Sequence, residues 1–229
     1  MNDLNVWLFD LMEVYGFYLL FGTLFWVIGS IPSGYLIVRL IEGKDVFLAG
    51  NGNPGLNNIY DNFGAQLTVM LGISDLIVKV LIPRFVLFAA SSYQIIPPND
   101  EWVVLYGILC VLIGNGWSMF SKFKGGKGVY ILFTSLMFLS PSNWIWVLLI
   151  PLFSKIFKID SAPITLLALV PLLMFYWRDS NALIISIGLI GVILLKRVFS
   201  SSIQTTTNNK LLVLLNRLLY DRDSSHRSY

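Results

Sequence analysis

Long apolar stretches broken by short polar ones run through this chain. Seven apolar segments can be traced, over residues 15–40, 65–90, 102–120, 129–139, 143–153, 163–177 and 182–198. The first three have the length of about 20 residues that crosses a hydrocarbon core. The others are shorter and would cross by drawing on loop residues, with five or six spans as the alternative. Ser140-Pro141-Ser142 has the composition of a tight turn between two of them. The pattern predicts an all-α polytopic membrane protein with about seven transmembrane helices, several of them short. A membrane domain would cover residues 1–199 and a cytoplasmic tail residues 200–229.

Composition agrees with that class. Of 229 residues, 56% are hydrophobic and only 13% charged, with a mean hydropathy of +0.73. A soluble domain averages about 25% charged residues, too many more for this chain to cover a water-facing surface of the same size. The placement of charge matters more than its sum of +3. Arg39 and Lys44 belong to the first inter-span loop, Lys122, Lys124 and Lys127 to the third, and Lys155 and Lys158 to the fifth. The tail carries Lys196, Arg197, Lys210, Arg217, Arg222 and Arg227, whereas the sixth loop has only Arg178. Positive residues favour the cytoplasmic side, so the N-terminus is expected outside, and the odd-numbered loops and the tail inside. The N-terminal stretch lacks the basic region and small-residue site of a signal peptide, so the first apolar segment is expected to be retained. Cys110, the single cysteine, lies in an apolar run and reads as a small buried hydrophobe.

In the tail, a Ser/Thr/Asn-rich joint over residues 200–209 precedes KLLVLLNRLLYDR. Leu211, Leu212, Leu214, Leu215, Leu218 and Leu219 share one helical face. Two readings fit: an amphipathic helix lying on the inner leaflet, or a helix packed on the bundle or on a second subunit.

Two glycine-rich loops carry the candidate chemistry. The first, AGNGNPGLNNIYDNFG, holds Gly50, Gly52 and Gly55 with Asn51, Asn53, Asn57 and Asn58, stiffened by Pro54. Glycines allow positive φ, and successive N–H groups in such a loop converge on anions. In the second, FKGGKG, Gly125, Gly126 and Gly128 bracket Lys127, so backbone can approach a ligand while an ammonium reaches it. Walker spacing is absent. Lys122 and Lys124 are explained by topology or by lipid headgroups, but glycines flanking Lys127 are not. Polar positions also interrupt the spans: Ser30, Pro32, Ser33 and Gly34 in the first, and Asp75 with Lys79 at i, i+4 in the second. That last pair reads equally as a self-neutralising helix pair or as a functional site.

In order and in side of membrane, GSIPSGYLIVRL, GNGNPGLNN and KFKGGKGV resemble the signature segments of the acyl-phosphate:glycerol-3-phosphate acyltransferases, the PlsY family. The resemblance covers roughly residues 29–129. It implies a seven-span inner-membrane enzyme with an outside N-terminus, which moves a fatty acyl group from acyl phosphate to the 1-hydroxyl of glycerol 3-phosphate. Lysophosphatidate and inorganic phosphate would be the products, with no metal or organic cofactor and no nucleic-acid partner. Carried over residue by residue, it assigns catalytic roles to Lys127, Asn58 and Ser161. Substrate and phosphate binding would fall to Ser33, Asn51, Gly52, Asn53, Pro54, Gly55, Gly125, Gly126 and Gly128.

The chain departs from the family's pattern at several points. Asn51 replaces a serine, Asp61 an expected phosphate-binding arginine, and Asn115 a frequent histidine. GVILLKRVF, by the last span, lacks the family's histidine and its following asparagine. An anion in place of a cation beside phosphate would reverse the electrostatic term. The single histidine, His226, has three residues after it, so the histidine–aspartate dyad of the other large acyltransferase group cannot form. Any base must then come from elsewhere, a substrate phosphate, whose second pKa is about 6, being one candidate. Three functions remain open: the acyltransferase, a degenerate relative that binds phosphate-bearing lipid or acts as a scaffold, and a small transporter or channel.

Overall fold

The computed structural model describes residues 2–95, 101–139, 153, 156–157, 161–199 and 210–220. They are helical throughout: α1 (Asn2–Gly29), α2 (Ser33–Glu42), α3 (Leu56–Phe63), α4 (Ala65–Asp75), α5 (Ile82–Ser92), α6 (Glu101–Gly116), α7 (Val129–Met137), α8 (Ser161–Tyr176), α9 (Ser180–Val198) and α10 (Lys210–Tyr220). The expected segment 143–153 lies outside the described residues except for Phe153, as do Lys155, Lys158 and His226.

Among the described residues, three helical stretches are long and apolar enough to cross a membrane. They are Tyr15–Glu42 with 28 residues, Glu101–Ser121 with 21 and Ser180–Val198 with 19. The first is broken between α1 and α2. Pro32 has no N–H and cannot continue a helix, and the Ser30 carbonyl at the break accepts from Ser118 Oγ at 2.5 Å. From Ala65 to Ser92 the chain is helical throughout, α4 passing into α5 through a π-helical turn, Leu76–Leu81. Such turns are rare and occur often at functional sites.

Helix α6 is the centre. It buries more than half of its circumference, with Leu105, Val111, Leu112 and Asn115 among the buried residues, and packs on α1 and α9. Glycines set the α1–α6 crossing. A Cβ on Gly114 would stand 2.1 Å from the Trp26 carbonyl oxygen, and one on Gly29 2.2 Å from that of Val111. Small residues at such crossings let membrane helices approach backbone to backbone. The main core joins Phe25, Leu105, Leu112, Ile131, Leu132, Leu189 and Ile193. A second, smaller core of Val38, Val46, Ile59, Leu67 and Leu71 lies among α2, α3 and α4 and supports the first glycine loop. Leu19, Leu20, Phe85, Phe88, Leu167, Met174 and Ile184 are exposed, an outward apolar surface far larger than a water-soluble monomer shows.

Helix α10 docks on α8 and α9 with the face opposite its leucines. Val213 and Asn216 are buried, while Leu211, Leu212, Leu214, Leu215 and Leu219 stay exposed. The helix packs on the bundle, the second of the two readings, and its apolar face points away from it.

Candidate active site

The two glycine loops, the start of α2, the π turn and the end of α9 meet around one cavity of about 320 Å³. That size is within the roughly 300–1,000 Å³ of small-molecule sites. Lys127, Asn51, Asn53, Pro54, Gly55, Asn58, Gly125, Gly126, Gly128 and Ser33 all line it. Residues more than 70 positions apart in sequence are thus brought together as the loop chemistry anticipated. Gly52 does not line the cavity; at φ +69° it shapes the loop from behind, facing the Phe47 carbonyl. Ser161 opens α8, and its side chain lies outside the described residues.

A relay of asparagines builds the first loop. Asn51 Oδ1 accepts from the Asn53 N–H at 3.0 Å, and Asn53 Oδ1 from the Gly55 N–H at 3.0 Å. Asn58 Oδ1 accepts from the Asn51 N–H and from Asn62 Nδ2, both at 3.1 Å, while its Nδ2 donates to the Ala49 carbonyl at 3.1 Å. The polar atoms of Asn58 are thus engaged in holding the loop. Asn58 therefore lines the cavity and at the same time organises its wall.

The loop is pressed directly on α2. A Cβ at Gly34 would stand 2.1 Å from the Pro54 carbonyl oxygen, so no larger residue fits without parting them. Beside it, Ser33 is 3% exposed, and its Oγ has no hydrogen-bond partner among the described residues. A buried hydroxyl left unpaired is costly, and here it lines the cavity at the first turn of a helix, where N–H groups also lack intrahelical acceptors.

The second loop leaves α6 through a strained segment. Lys122 and Phe123 both have positive φ, at 54° and 60°, a left-handed geometry that costs non-glycine residues about 1–2 kcal/mol each. Gly125 then passes over the end of α6, where a Cβ would stand 2.0 Å from the Asn115 carbonyl oxygen. Gly128, at φ +75°, caps the start of α7. Lys127 is half-buried between these glycines, whereas Lys122 and Lys124 are exposed. Lys196, packed over the Trp117 ring at 5.3 Å, is near enough for its charge to repel that of Lys127.

Sequence reasoning divided the Asp75–Lys79 pair between two roles, and the structure puts both residues on the cavity wall. Lys79 is 3% exposed; its Nζ lies 2.8 Å from Asp75 Oδ1 and donates to Asn115 Oδ1 at 2.9 Å. Asn115, read from the sequence only as a missing histidine, therefore links the buried ion pair to the glycine loop above it.

Two further corrections concern charge. Asp61 is exposed and is not part of the wall. The buried arc of α3 is centred on Asn58 and Ile59, and at 3.6 residues per turn Asp61 lies about 110° from the middle of that arc. Conversely, Arg197, counted above only toward topology, is 2% exposed and lines the cavity together with Ala162 and Thr165 of α8. Its one local signal is a Lys-Arg pair directly following an apolar run, which positive-inside placement explains equally well.

Comparison with known proteins agrees with this arrangement. Residues 19–208 match the family described as Glycerol-3-phosphate acyltransferase. The glycerol-3-phosphate acyltransferase of Fusobacterium nucleatum is 33% identical over 179 residues, which are 77% of this chain and 88% of that relative. Glycerol-3-phosphate acyltransferase 1 of Dehalococcoides mccartyi is 34% identical over 114 residues, 50% of this chain and 51% of the relative. The crystal structure of PlsY, an integral membrane glycerol 3-phosphate acyltransferase, in its glycerol 3-phosphate form superposes with a TM-score of 0.65 at 26% identity, over 79% of this chain and 88% of that one. Its lysophosphatidic acid form superposes with a TM-score of 0.61 at 25% identity, over 79% and 87%. A membrane-type apolar exterior, two glycine loops closed over a cationic cavity and these likenesses converge: the chain is an integral membrane protein of the glycerol-3-phosphate acyltransferase family, of the PlsY type.

Proposed function

We propose that this protein transfers a fatty acyl group from acyl phosphate to the 1-hydroxyl of glycerol 3-phosphate at the cytoplasmic face of the cell membrane. The charge pattern of the loops supports seven spans over residues 1–199 with the N-terminus outside, which puts the cavity inside. One observation carries the reading: Lys127 and the asparagine–glycine loop, separate in sequence, line the same pocket, next to the buried hydroxyl of Ser33.

In this reaction the 1-hydroxyl oxygen bonds to the acyl carbon, and the bond from that carbon to the phosphate oxygen breaks. The hydroxyl proton passes to a phosphate oxygen, and lysophosphatidate and inorganic phosphate leave. A phosphate dianion, with its second pKa of about 6, is basic enough to take that proton, so no protein histidine is needed. Lys127 and N–H groups of the Gly125–Gly128 loop hold phosphate; loop N–H groups aimed at the developing oxyanion supply transition-state stabilisation. Asn51, Asn53, Pro54 and Gly55 form the facing wall, with Asn58 as its staple. The apolar wall of Ile31, Val129, Ile131 and Phe133 suits the hydrocarbon part of the donor.

The test is phosphate release by the purified protein supplied with acyl phosphate and glycerol 3-phosphate. Wild-type release should fall by about 100-fold or more in Lys127→Ala, the scale on which loss of a group stabilising transition-state charge is felt. Absence of release from the wild type with glycerol 3-phosphate and other acceptors, while phosphate-bearing lipid still binds, would instead identify a non-catalytic relative.

A further inference from the structure

Two arginines tie the last span to the tail helix, each capping the other's helix. Arg197, in the final turn of α9, donates from Nη1 to the Leu218 carbonyl at 2.9 Å, in the final turn of α10. Its Nη2 donates to the Ala162 carbonyl at 3.0 Å, in the first turn of α8. Arg217, in the final turn of α10, donates from Nη1 to the Val198 carbonyl at 2.9 Å, the last residue of α9. Carbonyls in a last helical turn lack an amide partner, and a cation there also meets the negative end of the helix dipole. The clasp fixes the plane of a guanidinium that is almost wholly buried and yet belongs to the cavity wall.

Charge gives that placement its meaning. Two phosphate-bearing substrates would bring about three to four negative charges into the cavity. Of the cationic side chains on its wall, Lys79 already faces the Asp75 carboxylate at 2.8 Å. Lys127 reaches the cavity from the second glycine loop, and Arg197 from the far end of the chain. A guanidinium carries five N–H donors in a fixed fork suited to phosphate oxygens, and the two carbonyl bonds take two of the five.

We infer that Arg197 is a second phosphate-binding residue of this cavity, and that the tail helix α10 is its positioning element. The last span thereby supplies a guanidinium to the wall, and the tail is part of the binding machinery. Which substrates bring the phosphates rests on the acyl-transfer reading; the phosphate contact is measurable without turnover.

The experiment uses the full chain in detergent, as wild type, Arg197→Gln, Arg197→Lys and Arg217→Gln. Thermal unfolding is followed against inorganic phosphate and glycerol 3-phosphate, and steady-state phosphate release is measured in parallel. Arg197→Gln should weaken phosphate binding and raise KM for a phosphate-bearing substrate by about tenfold or more, as for loss of a charged hydrogen bond. Arg197→Lys should recover part of the affinity. Arg217 is not on the wall, and Arg217→Gln should raise KM by about threefold, more than it lowers kcat. If Arg197→Gln unfolds at the wild-type temperature without ligand and binds phosphate as the wild type does, the assignment is overturned. If Arg197→Gln does not fold, unchanged phosphate affinity in both Arg197→Lys and Arg217→Gln overturns it equally. Arg197-dependent phosphate binding in a protein that shows no acyl transfer would support the assignment and refute the reaction; full transfer with unchanged KM in Arg197→Gln would do the reverse.

Discussion

Replacing Gly34 by alanine tests whether the contact between α2 and the asparagine loop is what gives the cavity its shape. The added Cβ would stand 2.1 Å from the Pro54 carbonyl oxygen and 3.2 Å from Ile59 Cδ1. Ordinary contact begins at 3.4 Å, so loop and helix must separate by about 1.3 Å, and backbone on both sides leaves no flexible side chain to absorb the change. Overpacking of this kind costs about 1–3 kcal/mol, of which about 0.5–1 kcal/mol is offset because alanine suits a helix better than glycine. The larger effect is on rate. Ser33 and the Asn51–Asn58 wall would no longer face the same substrate, and a misplacement of about 1 Å costs on the order of 100-fold. Phosphate release should show that loss in kcat/KM together with a modest drop in the unfolding midpoint. Gly191→Ala is the control: nothing lies within 4 Å of its Cβ position in the interior of α9, so stability should hold or rise slightly and activity should be unchanged. A Gly34→Ala protein with wild-type kcat/KM would refute the reasoning, because the close approach would then have no functional consequence.

Two further predictions concern charge. Lys79→Met alone leaves the Asp75 carboxylate buried without its partner, and should destabilise the protein by about 3–5 kcal/mol, read as a fall in the detergent unfolding midpoint. Combining it with Asp75→Leu should restore most of that stability, since a buried pair is often neutral against apolar residues, while phosphate release stays low because the Lys79–Asn115 link is gone. Asp61→Ala should change kcat/KM by less than about twofold, as expected for an exposed side chain off the wall; a gain of tenfold would show that its carboxylate does oppose phosphate.

What the sequence revealed, and what it hid, follows from how local each signal is. The glycine loops were legible because their logic sits within a few residues: Gly125, Gly126 and Gly128 around Lys127 need no tertiary context to suggest a close backbone approach. The break at Ser30–Pro32 was legible for the same reason, since a proline beside serines and a glycine is a local signal for interrupting a helix. Arg197 was not legible. Its burial comes from the packing of α8 and α10 against the end of α9, and the positive-inside pattern already gave its charge a use. The exposure of Asp61 was not legible, because correspondence along a motif says nothing about which way α3 turns a residue. The common face of the tail leucines predicted the helix, but the docking surface includes Val213, Asn216 and Arg217, and the backbone carbonyl that Arg217 meets is not displayed by sequence.

The crossing of α1 and α6 restricts the route by which a hydrocarbon tail can arrive. At Gly29 and Gly114 the two backbones touch, with space for neither a methyl group nor an acyl chain between them. That seam is closed from the lipid side. In the acyl-transfer reading a fatty tail would enter elsewhere, and the apolar lining of Ile131 and Phe133 of α7 and Ala162 of α8 offers it a berth. Donor and acceptor would then approach from different directions, one from within the bilayer and the other from water.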